Sequence, residues 1–510
     1  MTQILREPQA VAEWLRERVT GDLRCDSRQV GAGDGFVAWP GAATDGRRYV
    51  ASALAAGAAA ALVEREGVEP YGFADPRILA VPDLKMQAGP IASAFYGDPT
   101  AELDVVAITG TNGKTSCAWW TAQLLSALEK PCAVVGTLGI GLPPTQDRPS
   151  SIVPTGLTTP DPVMLQARLR TLVGEGVKAC AIEASSIGIV EGRLNATRVR
   201  VAVFTNFTQD HLDYHGSMSD YWEAKSRLFH WAGLTHAVVN LDDEQGVALD
   251  QALASRPTLS RWSVGIDRPA RLVARDIRYT DRGMRLAVVE HDERGAEVAR
   301  GELALDLIGR YNVSNLLCVI ASARALGVSL TDALRACAAL TPVPGRMEQV
   351  DAAAGQPLVL VDYAHTPDAL EKALQALQPV AKQRGGHLWC VIGCGGDRDP
   401  GKRPLMAAVV ERESQHAVLT SDNPRSEDPQ AILTQMLAGL AQPGAAVVEA
   451  DRARAIARAV RAAGPRDVVL VAGKGHEDYQ EVMRVKRPFS DVAQAREALQ
   501  TRLAASGGVA

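Results

Sequence analysis

The sequence is poor in the features that would commit it to export, to a membrane or to nucleic acid. Its eight cysteines stand alone at 25, 117, 132, 180, 318, 337, 390 and 394. None forms a C-x-x-C pair and no Cys/His cluster has zinc-ligand spacing, which excludes a zinc-finger or thioredoxin-type centre. Thiols scattered through 510 residues read as reduced, buried, small apolar side chains rather than as a disulfide framework. The opening Met1-Thr2-Gln3-Ile4-Leu5-Arg6-Glu7 lacks the apolar core of a signal peptide. Hydrophobic runs are short. The longest small-apolar stretch, Val50 to Val63, is interrupted by Ser52 and Gly57 and reads as a buried alanine-rich helix leading into a strand, not as a membrane span. A formal net charge of −5, with no long basic block, offers no footprint for nucleic acid. The expectation is a cytoplasmic monomer that neither enters a membrane nor binds nucleic acid.

What is present is the composition of a globular protein, 46% hydrophobic and 22% charged. The length calls for several domains. Turn-rich junctions at Tyr96-Gly97-Asp98-Pro99-Thr100 and Thr341-Pro342-Val343-Pro344-Gly345-Arg346 divide the chain into residues 1–99, 100–341 and 342–510. The first segment holds strand candidates at Gly35–Trp39, Ala60–Val63 and Ile78–Val81. In the second, apolar runs at Val105–Thr109, Cys132–Thr137, Lys178–Ala184, Val201–Asn206 and Ala237–Leu241 alternate with helix-length stretches. That alternation predicts βαβ units and a largely parallel sheet. Residues 257–308 change texture and read as antiparallel strands, with Asp281-Arg282-Gly283 as a turn and a helix following at Asn315–Leu326. The third segment repeats the α/β alternation, with strands at Leu358–Asp362, Leu388–Gly393, Ala417–Ser421, Ala445–Ala450 and Val468–Ala472.

The most specific local signal is Val105-Val106-Ala107-Ile108-Thr109-Gly110-Thr111-Asn112-Gly113-Lys114-Thr115-Ser116, which runs into the helix-compatible Cys117–Ala122. Strand, small Gly-bounded loop and helix in that order make a phosphate cradle. Backbone N–H groups at a helix N-terminus face anionic oxygens, Lys114 adds a mobile cation, and the hydroxyl of Thr115 or Ser116 can join a magnesium shell. Ile108 stands where the general pattern has its first glycine, so the match is incomplete, and a plain turn with an exposed lysine is the competing reading.

Ligands of open α/β sheets gather beyond the carboxyl ends of strands. Glu183 ends one strand and can hold magnesium beside the bound phosphates. The next strand ends in Thr205-Asn206-Phe207-Thr208-Gln209-Asp210-His211-Leu212-Asp213-Tyr214-His215, where His211 is a candidate metal or phosphate ligand. In the third segment the same rule selects Asp362 and His365, Gly393 to Arg398, Asp422 to Arg425, Asp451, and Gly473 to Glu477. Lys225, within Tyr221–Phe229, reads by spacing alone as a solvated helix lysine.

Taken in order, Gly110–Ser116, Glu183-Ala-Ser-Ser186, Asn206–Gly216, Tyr221–Phe229, Gly309-Arg-Tyr-Asn312, Pro344-Gly-Arg-Met-Glu348 and Asp362–Asp368 resemble the motifs of the ATP-dependent Mur ligases, which build the peptidoglycan precursor. The resemblance spans nearly the whole chain. It implies a UDP/muramoyl-binding domain over 1–99, a central P-loop-type parallel-sheet ATPase domain over 100–341 and a C-terminal Rossmann-like, amino-acid-binding domain over 342–510. It also implies ATP and magnesium, and a carbamylated lysine at Lys225, where a carbamate makes the side chain an anionic metal ligand beside His211. Asn312, Arg346 and His365 are then expected to complete the nucleotide pocket at a domain seam, with Asp362 near them.

The segment Asp422-Asn423-Pro424-Arg425 resembles the signature of the family members that add meso-diaminopimelate to UDP-N-acetylmuramoyl-L-alanyl-D-glutamate. The chemistry agrees: a guanidinium grips a carboxylate in two parallel hydrogen bonds, and diaminopimelate carries a distal carboxylate that lysine lacks. Glu477 supplies an anion for the ammonium; Arg398 and Gly473 match further contacts. Ser27, Ala42, Ala43 and Thr44 match the uridine region, and Thr158, Thr159, Ser185, Glu191 and Arg193 the muramoyl-peptide contacts. The chain departs from the family at Glu191, where glutamine is frequent, and at Ile187, where histidine is common. The implied reaction is acyl-phosphate ligation at the D-glutamyl γ-carboxylate. A lysine-adding ligase, a folylpolyglutamate synthase and a nucleotide-gated regulatory ATPase are the competing readings.

Overall fold

The computed structural model describes residues 3–41, 44–145, 148–280 and 283–507. The chain divides into two compact units. One comprises Met1–Val273, Glu290–Ala299 and Ser314–Ala339; the other comprises Ala274–Val289, Arg300–Val313 and Leu340–Ala510.

The first unit contains an all-parallel sheet in the spatial order Gln3–Ile4, Ile78–Val81, Ala60–Glu64, Gly35–Ala38, Leu23–Arg24. Its residues alternate between two cores. Val37, Leu62 and Leu79 pack with helices Pro8–Arg16 and Leu84–Phe95. Phe36, Ala38, Ala61 and Val63 pack against Val50 and Ala53 of helix Val50–Ala55. A sheet covered on both faces has no solvated side, which is why these strands read as unbroken apolar runs.

The same unit holds a second sheet. Strands Cys132–Gly136, Ala179–Glu183, Asp104–Thr109, Val201–Phe204, His236–Asn240 and Ser260–Gly265 lie side by side in that order, all parallel. The chain leaves Asp104–Thr109 toward one edge and later returns on its other side through Val201–Phe204. The end of Asp104–Thr109 is therefore a topological switch point, the position where such sheets open a crevice. Helix Lys114–Ala127 starts there. Helix Pro162–Gly174 begins with Pro162 behind Asp161, whose side chain accepts from the backbone N–H groups of Val163 and Met164, satisfying donors that a helix start otherwise leaves unpaired.

The second unit is built on Leu358–Asp362, Val468–Ala472, Leu388–Cys394, His416–Ser421 and Val447–Val448, neighbours in that order and parallel, with Glu348–Val350 antiparallel at one edge. Helices Pro367–Arg384, Lys402–Glu413 and Pro429–Leu437 fill one face; Arg452–Ala462 and Asp491–Gly507 lie on the other.

Most predicted strands are present with ends shifted by a residue or two. Three expectations are corrected. Ser260–Gly265, read as antiparallel, is parallel to His236–Asn240, with helix Glu244–Leu253 providing the crossover that parallel pairing needs; it also pairs parallel with the start of Leu272–Tyr279. The strand expected at Ala445–Ala450 shrinks to Val447–Val448, because Pro443–Ala445 is taken up by a short turn of helix with proline at its start. The solvated position expected from the spacing around Lys225 is instead buried, with 1% exposure. Of the expected turn at 281–283, Asp281 and Arg282 lie outside the described residues. All eight cysteines are unpaired; seven are buried and Cys25 is half-buried. Among the described residues, no helix is long and apolar enough to cross a membrane.

Candidate functional site

The loop after Asp104–Thr109 is held by three contacts with the segment that follows Val201–Phe204. Thr205 Oγ1 donates to Asn112 O at 2.6 Å, Asn206 Oδ1 accepts from Asn112 N at 2.9 Å, and Thr111 Oγ1 donates to Thr208 O at 3.0 Å. Gly113 has φ +85°, and a Cβ there would lie 2.3 Å from Asn315 Oδ1, so glycine is required both by conformation and by space. The loop thereby delivers the N-terminus of helix Lys114–Ala127, with Thr115 and Ser116 in its first turn.

Two lysines converge on one carbonyl oxygen. Lys114 Nζ donates to Gly110 O at 2.9 Å and to Thr111 O at 2.8 Å, while Lys225 Nζ donates to Gly110 O at 2.7 Å. Lys225 also lies 4.3 Å from the Tyr221 ring centre. Burial, reinforced by the Lys114 charge, holds the Lys225 amine well below the usual lysine range.

Glu183 closes the other side. Its Oε2 accepts from Thr115 Oγ1 at 3.0 Å and from Thr137 Oγ1 at 3.3 Å, and its Oε1 accepts from Thr137 N at 2.8 Å. Gly136 leaves room for this carboxylate: a Cβ there would sit 2.1 Å from Oε1. Among the described residues no group of three or more His, Cys, Asp or Glu gathers as a metal cluster. One buried carboxylate and one hydroxyl are nevertheless all-oxygen donors. They fit magnesium, which takes one or two protein ligands and completes its shell with phosphate and water.

His211 sits at the head of the short helix Leu212–His215 with a left-handed backbone, φ 52°. Its imidazole is half-exposed. Burial is the main influence lowering its proton affinity, opposed by Asp210 and reinforced by the charges of Lys114 and Lys225, which places it in the field of the same loop.

The residues expected at the muramoyl peptide cluster around strand Ala179–Glu183. Thr159 Oγ1 donates to Glu183 O at 2.7 Å and lies 2.8 Å from Ser185 Oγ; Arg193 Nη1 donates to Thr159 O at 3.0 Å; Thr137 and Thr158 hydroxyls are 3.1 Å apart. Glu191 is gripped by Lys85 Nζ at 2.7 Å and Tyr214 OH at 2.6 Å. Burial alone would raise its carboxyl, but those hydrogen bonds overcome it and hold the carboxyl below the usual range. His215 Nε2 lies 2.9 Å from Ser186 Oγ. Ser27 and Thr44 line a cavity of about 560 Å³ with Phe36, Trp39 and Tyr49. Ala42 and Ala43 lie outside the described residues.

In the second unit, Asp362 Oδ2 accepts from Met347 N at 2.7 Å and Oδ1 from Ala364 N at 2.8 Å. Burial raises this carboxyl, with Arg346 opposing. The Arg346 guanidinium lies 4.6 Å from the Tyr363 ring centre and His365 packs on the same ring at 4.6 Å. Asn312 Nδ2 donates to Ile308 O at 2.8 Å.

A further cluster forms at the carboxyl ends of His416–Ser421 and Val468–Ala472. Asn423 Nδ2 donates to Glu477 Oε2 at 2.8 Å; Lys474 Nζ donates to Asn423 Oδ1 at 3.0 Å and to Glu477 Oε2 at 2.8 Å. Gly473, φ +114°, admits Asp422 Oδ2 where a Cβ would sit only 2.5 Å away. Arg425 takes a left-handed backbone, φ 54°, and its Nη1 donates to Gly396 O at 2.6 Å. Pro424 lies between them, and Arg398 is exposed nearby.

Several residues here escaped the sequence reasoning. Arg452, with no side-chain exposure, meets Asp491, equally buried, at 2.7 Å, and donates to Ser421 O and Ala472 O. Arg403 grips Glu427 through both guanidinium nitrogens, at 2.9 and 2.8 Å, and Gly395 O at 3.1 Å. Both arginines sit near the start of helices, where a charged residue reads as part of the solvated face. Lys474 lies within the selected Gly473 to Glu477, where the sequence alone assigns it no role. Asp451, selected by the strand-end rule, is a helix cap: its side chain accepts from Arg454 N.

A strand–loop–helix cradle at the switch point of a parallel sheet places the protein among nucleotide-binding α/β proteins. Comparison with known families narrows the class. Residues 22–96 match the Mur ligase family catalytic domain, 108–323 the Mur ligase middle domain and 345–475 the Mur ligase glutamate ligase domain. The UDP-N-acetylmuramoyl-L-alanyl-D-glutamate--2,6-diaminopimelate ligase of Acidovorax sp. (strain JS42) is 57% identical over 509 residues, covering 98% of both chains. That of Janthinobacterium sp. (strain Marseille) is 48% identical over 502 residues, covering 97% of each. A solved structure of a ligase of that description aligns with TM-score 0.65 at 34% identity, over 94% of this chain and 95% of the other. The chain belongs to the Mur ligase family.

Proposed function

We propose that the protein is an ATP-dependent ligase that joins meso-diaminopimelate to the D-glutamyl γ-carboxylate of UDP-N-acetylmuramoyl-L-alanyl-D-glutamate. The observation that carries the substrate choice is the cluster at 422–477. Arg425 offers a guanidinium for a carboxylate, and Glu477, held by Asn423 Nδ2 and by Lys474 Nζ, offers a carboxylate for an ammonium. Lysine, lacking the distal carboxylate, leaves the Arg425 guanidinium bonded to Gly396 O but without a carboxylate to grip.

A carboxylate does not condense with an amine in water because its oxygen is a poor leaving group. The γ-carboxylate oxygen attacks the γ-phosphorus of ATP and ADP leaves. The amine nitrogen then attacks the acyl carbon, the bond to phosphate breaks and an amide remains. Two anions meet in the first step, so the site must concentrate positive charge. Lys114 and the N-terminal N–H groups of its helix bind phosphate oxygens. Thr115, Ser116 and Glu183 would hold magnesium, which supplies charge neutralisation at the γ-phosphate. Lys225 is proposed as a carbamate that joins His211 at a second magnesium. The supporting observation is its burial, which disfavours the ammonium relative to the neutral amine, the form that adds carbon dioxide. Thr158, Thr159, Ser185, Glu191 and Arg193 would position the peptide, and Ser27, Thr44 and the adjoining backbone the uridine. Asn312, Arg346 and His365 would contact the nucleotide. We extend the proposal to three functional domains, 1–99, 100–341 and 342–510, and to a cytoplasmic site of action, where the nucleotide-linked precursor and ATP are both found.

An amino-acid panel with the UDP-linked dipeptide, ATP and magnesium, read by product mass, tests this. The expected product carries diaminopimelate, and phosphate release requires both acceptor and amine. Preferred incorporation of lysine, or phosphate release without the amino acid, would overturn it.

A further inference from the structure

The hairpin Tyr479–Val482/Val485–Pro488 stands apart from the six-stranded sheet of the second unit. Its outer strand is exposed throughout. A lone two-stranded hairpin is marginal in water, so its order depends on what it touches. It touches the Asp422–Arg425 segment. Gln480 Nε2 donates to Asp422 O at 2.7 Å, Glu481 N to Asn423 Oδ1 at 2.9 Å, and Arg425 N to Glu481 O at 3.0 Å; Arg484 N reaches Arg425 O at 3.3 Å. Arg425 is thereby paired as a parallel bridge partner of Val482. Its left-handed backbone, φ 54°, is disfavoured for an arginine and persists only where surroundings fix it. The turn is itself left-handed at Met483, φ 49°, and Arg484, φ 61°, at positions where Asn-Gly is the relaxed choice. Strain thus collects on the two backbones that meet, that of Arg425 and that of the hairpin tip.

We propose that this hairpin is the specificity-positioning element of the amino-acid site, with Gln480 its anchoring side chain. It sets the Arg425 backbone, and so the direction of the guanidinium that selects a substrate bearing a distal carboxylate. The proposal rests on the diaminopimelate reading above. Gln480 acts through Arg425 and touches no reacting atom, so its effect must appear on the carboxylate-bearing substrate and not on lysine.

The test compares the unaltered enzyme with Gln480→Ala and Gln480→Glu, measuring kcat/KM for meso-diaminopimelate and for L-lysine, and KM for ATP. Gln480→Glu keeps the shape but faces the Asp422 carbonyl with a second acceptor. The expected result is a loss of about fivefold toward diaminopimelate in Gln480→Ala, the worth of one neutral hydrogen bond, and a larger loss in Gln480→Glu. Lysine and ATP constants should stay unchanged. In an Arg425→Ala background the Gln480→Ala effect should vanish, because the group it positions is gone. Equal losses for both amino acids, or an effect that persists without Arg425, overturns the positioning role. Preference for lysine in the unaltered enzyme is a separate outcome, read in its own arm, and overturns the substrate reading as well as the proposal built on it.

Discussion

Replacing Lys225 by methionine separates two roles that the geometry allows. The stem is buried against Tyr221, and methionine keeps nearly its volume, so packing is retained. What is lost is the nitrogen that donates to Gly110 O at 2.7 Å. If that hydrogen bond is all Lys225 contributes, its removal costs about 1 kcal/mol, or about fivefold in rate. If the nitrogen instead carries a carbamate that stabilises charge in the reacting cluster, the loss should resemble that of other preorganised electrostatic groups, about a hundred- to a thousandfold in kcat. ADP release coupled to a reporter, with all three substrates saturating, distinguishes these values. Lys225→Ala adds a second reading, because the missing stem leaves a slot into which formate or acetate can bring a carboxylate. Partial recovery that saturates with the added acid is the expected result. A methionine variant within fivefold of the unaltered enzyme, together with an alanine variant that no carboxylate revives, would refute the carbamate.

Three other perturbations follow from single contacts. Gly136→Ala puts a methyl 2.1 Å from Glu183 Oε1 and should displace the carboxylate from Thr115, raising the magnesium concentration for half-maximal rate; an unchanged magnesium titration contradicts the ligand role of Glu183. Arg452→Met leaves Asp491 buried and unpaired and should cost about 3–5 kcal/mol by denaturant melting; a loss below about 1 kcal/mol would mean the site tolerates the lone charge. Asp45, held down to about 2 by the Arg47 guanidinium and by Tyr71, binds fewer protons folded than unfolded, so its contribution is present above the ordinary value of 3.8 and fades as pH falls toward 2. Asp45→Asn should therefore lower the melting temperature at neutral pH and lose that effect in acid, and a penalty independent of pH counts against the ion pair.

The parallel sheets were legible because strands buried on both faces must be apolar at every position, as in Val105–Ile108 and Val468–Ala472. Strand ends then pointed to Glu183, Asp422 and Glu477 without further information. Less legible were residues whose type is ambiguous until the fold closes. Arg403 and Arg452 look like solvated helix charges, yet both are 1% exposed, because a guanidinium with enough carbonyl and carboxylate partners can be buried. The solvated reading of Lys225 failed for a different reason: in the short helix Met218–Ser226 it shares the buried face with Tyr221 and Ala224, a face too short to read by periodicity. The parallel course of Ser260–Gly265 was hidden because strand direction depends on the path between strands, which local texture does not record.

The Arg452–Asp491 pair has a consequence for how this sequence can drift. The two positions are far apart in the chain, and neither side chain touches solvent. Changing either alone strands the other's charge, so replacement must be concerted or pass through a crippled intermediate. Each is thus locked by the other whatever substrate the site above them accepts, and the pair should outlast changes of specificity, serving as a more durable mark of ancestry than the residues that read the amino acid.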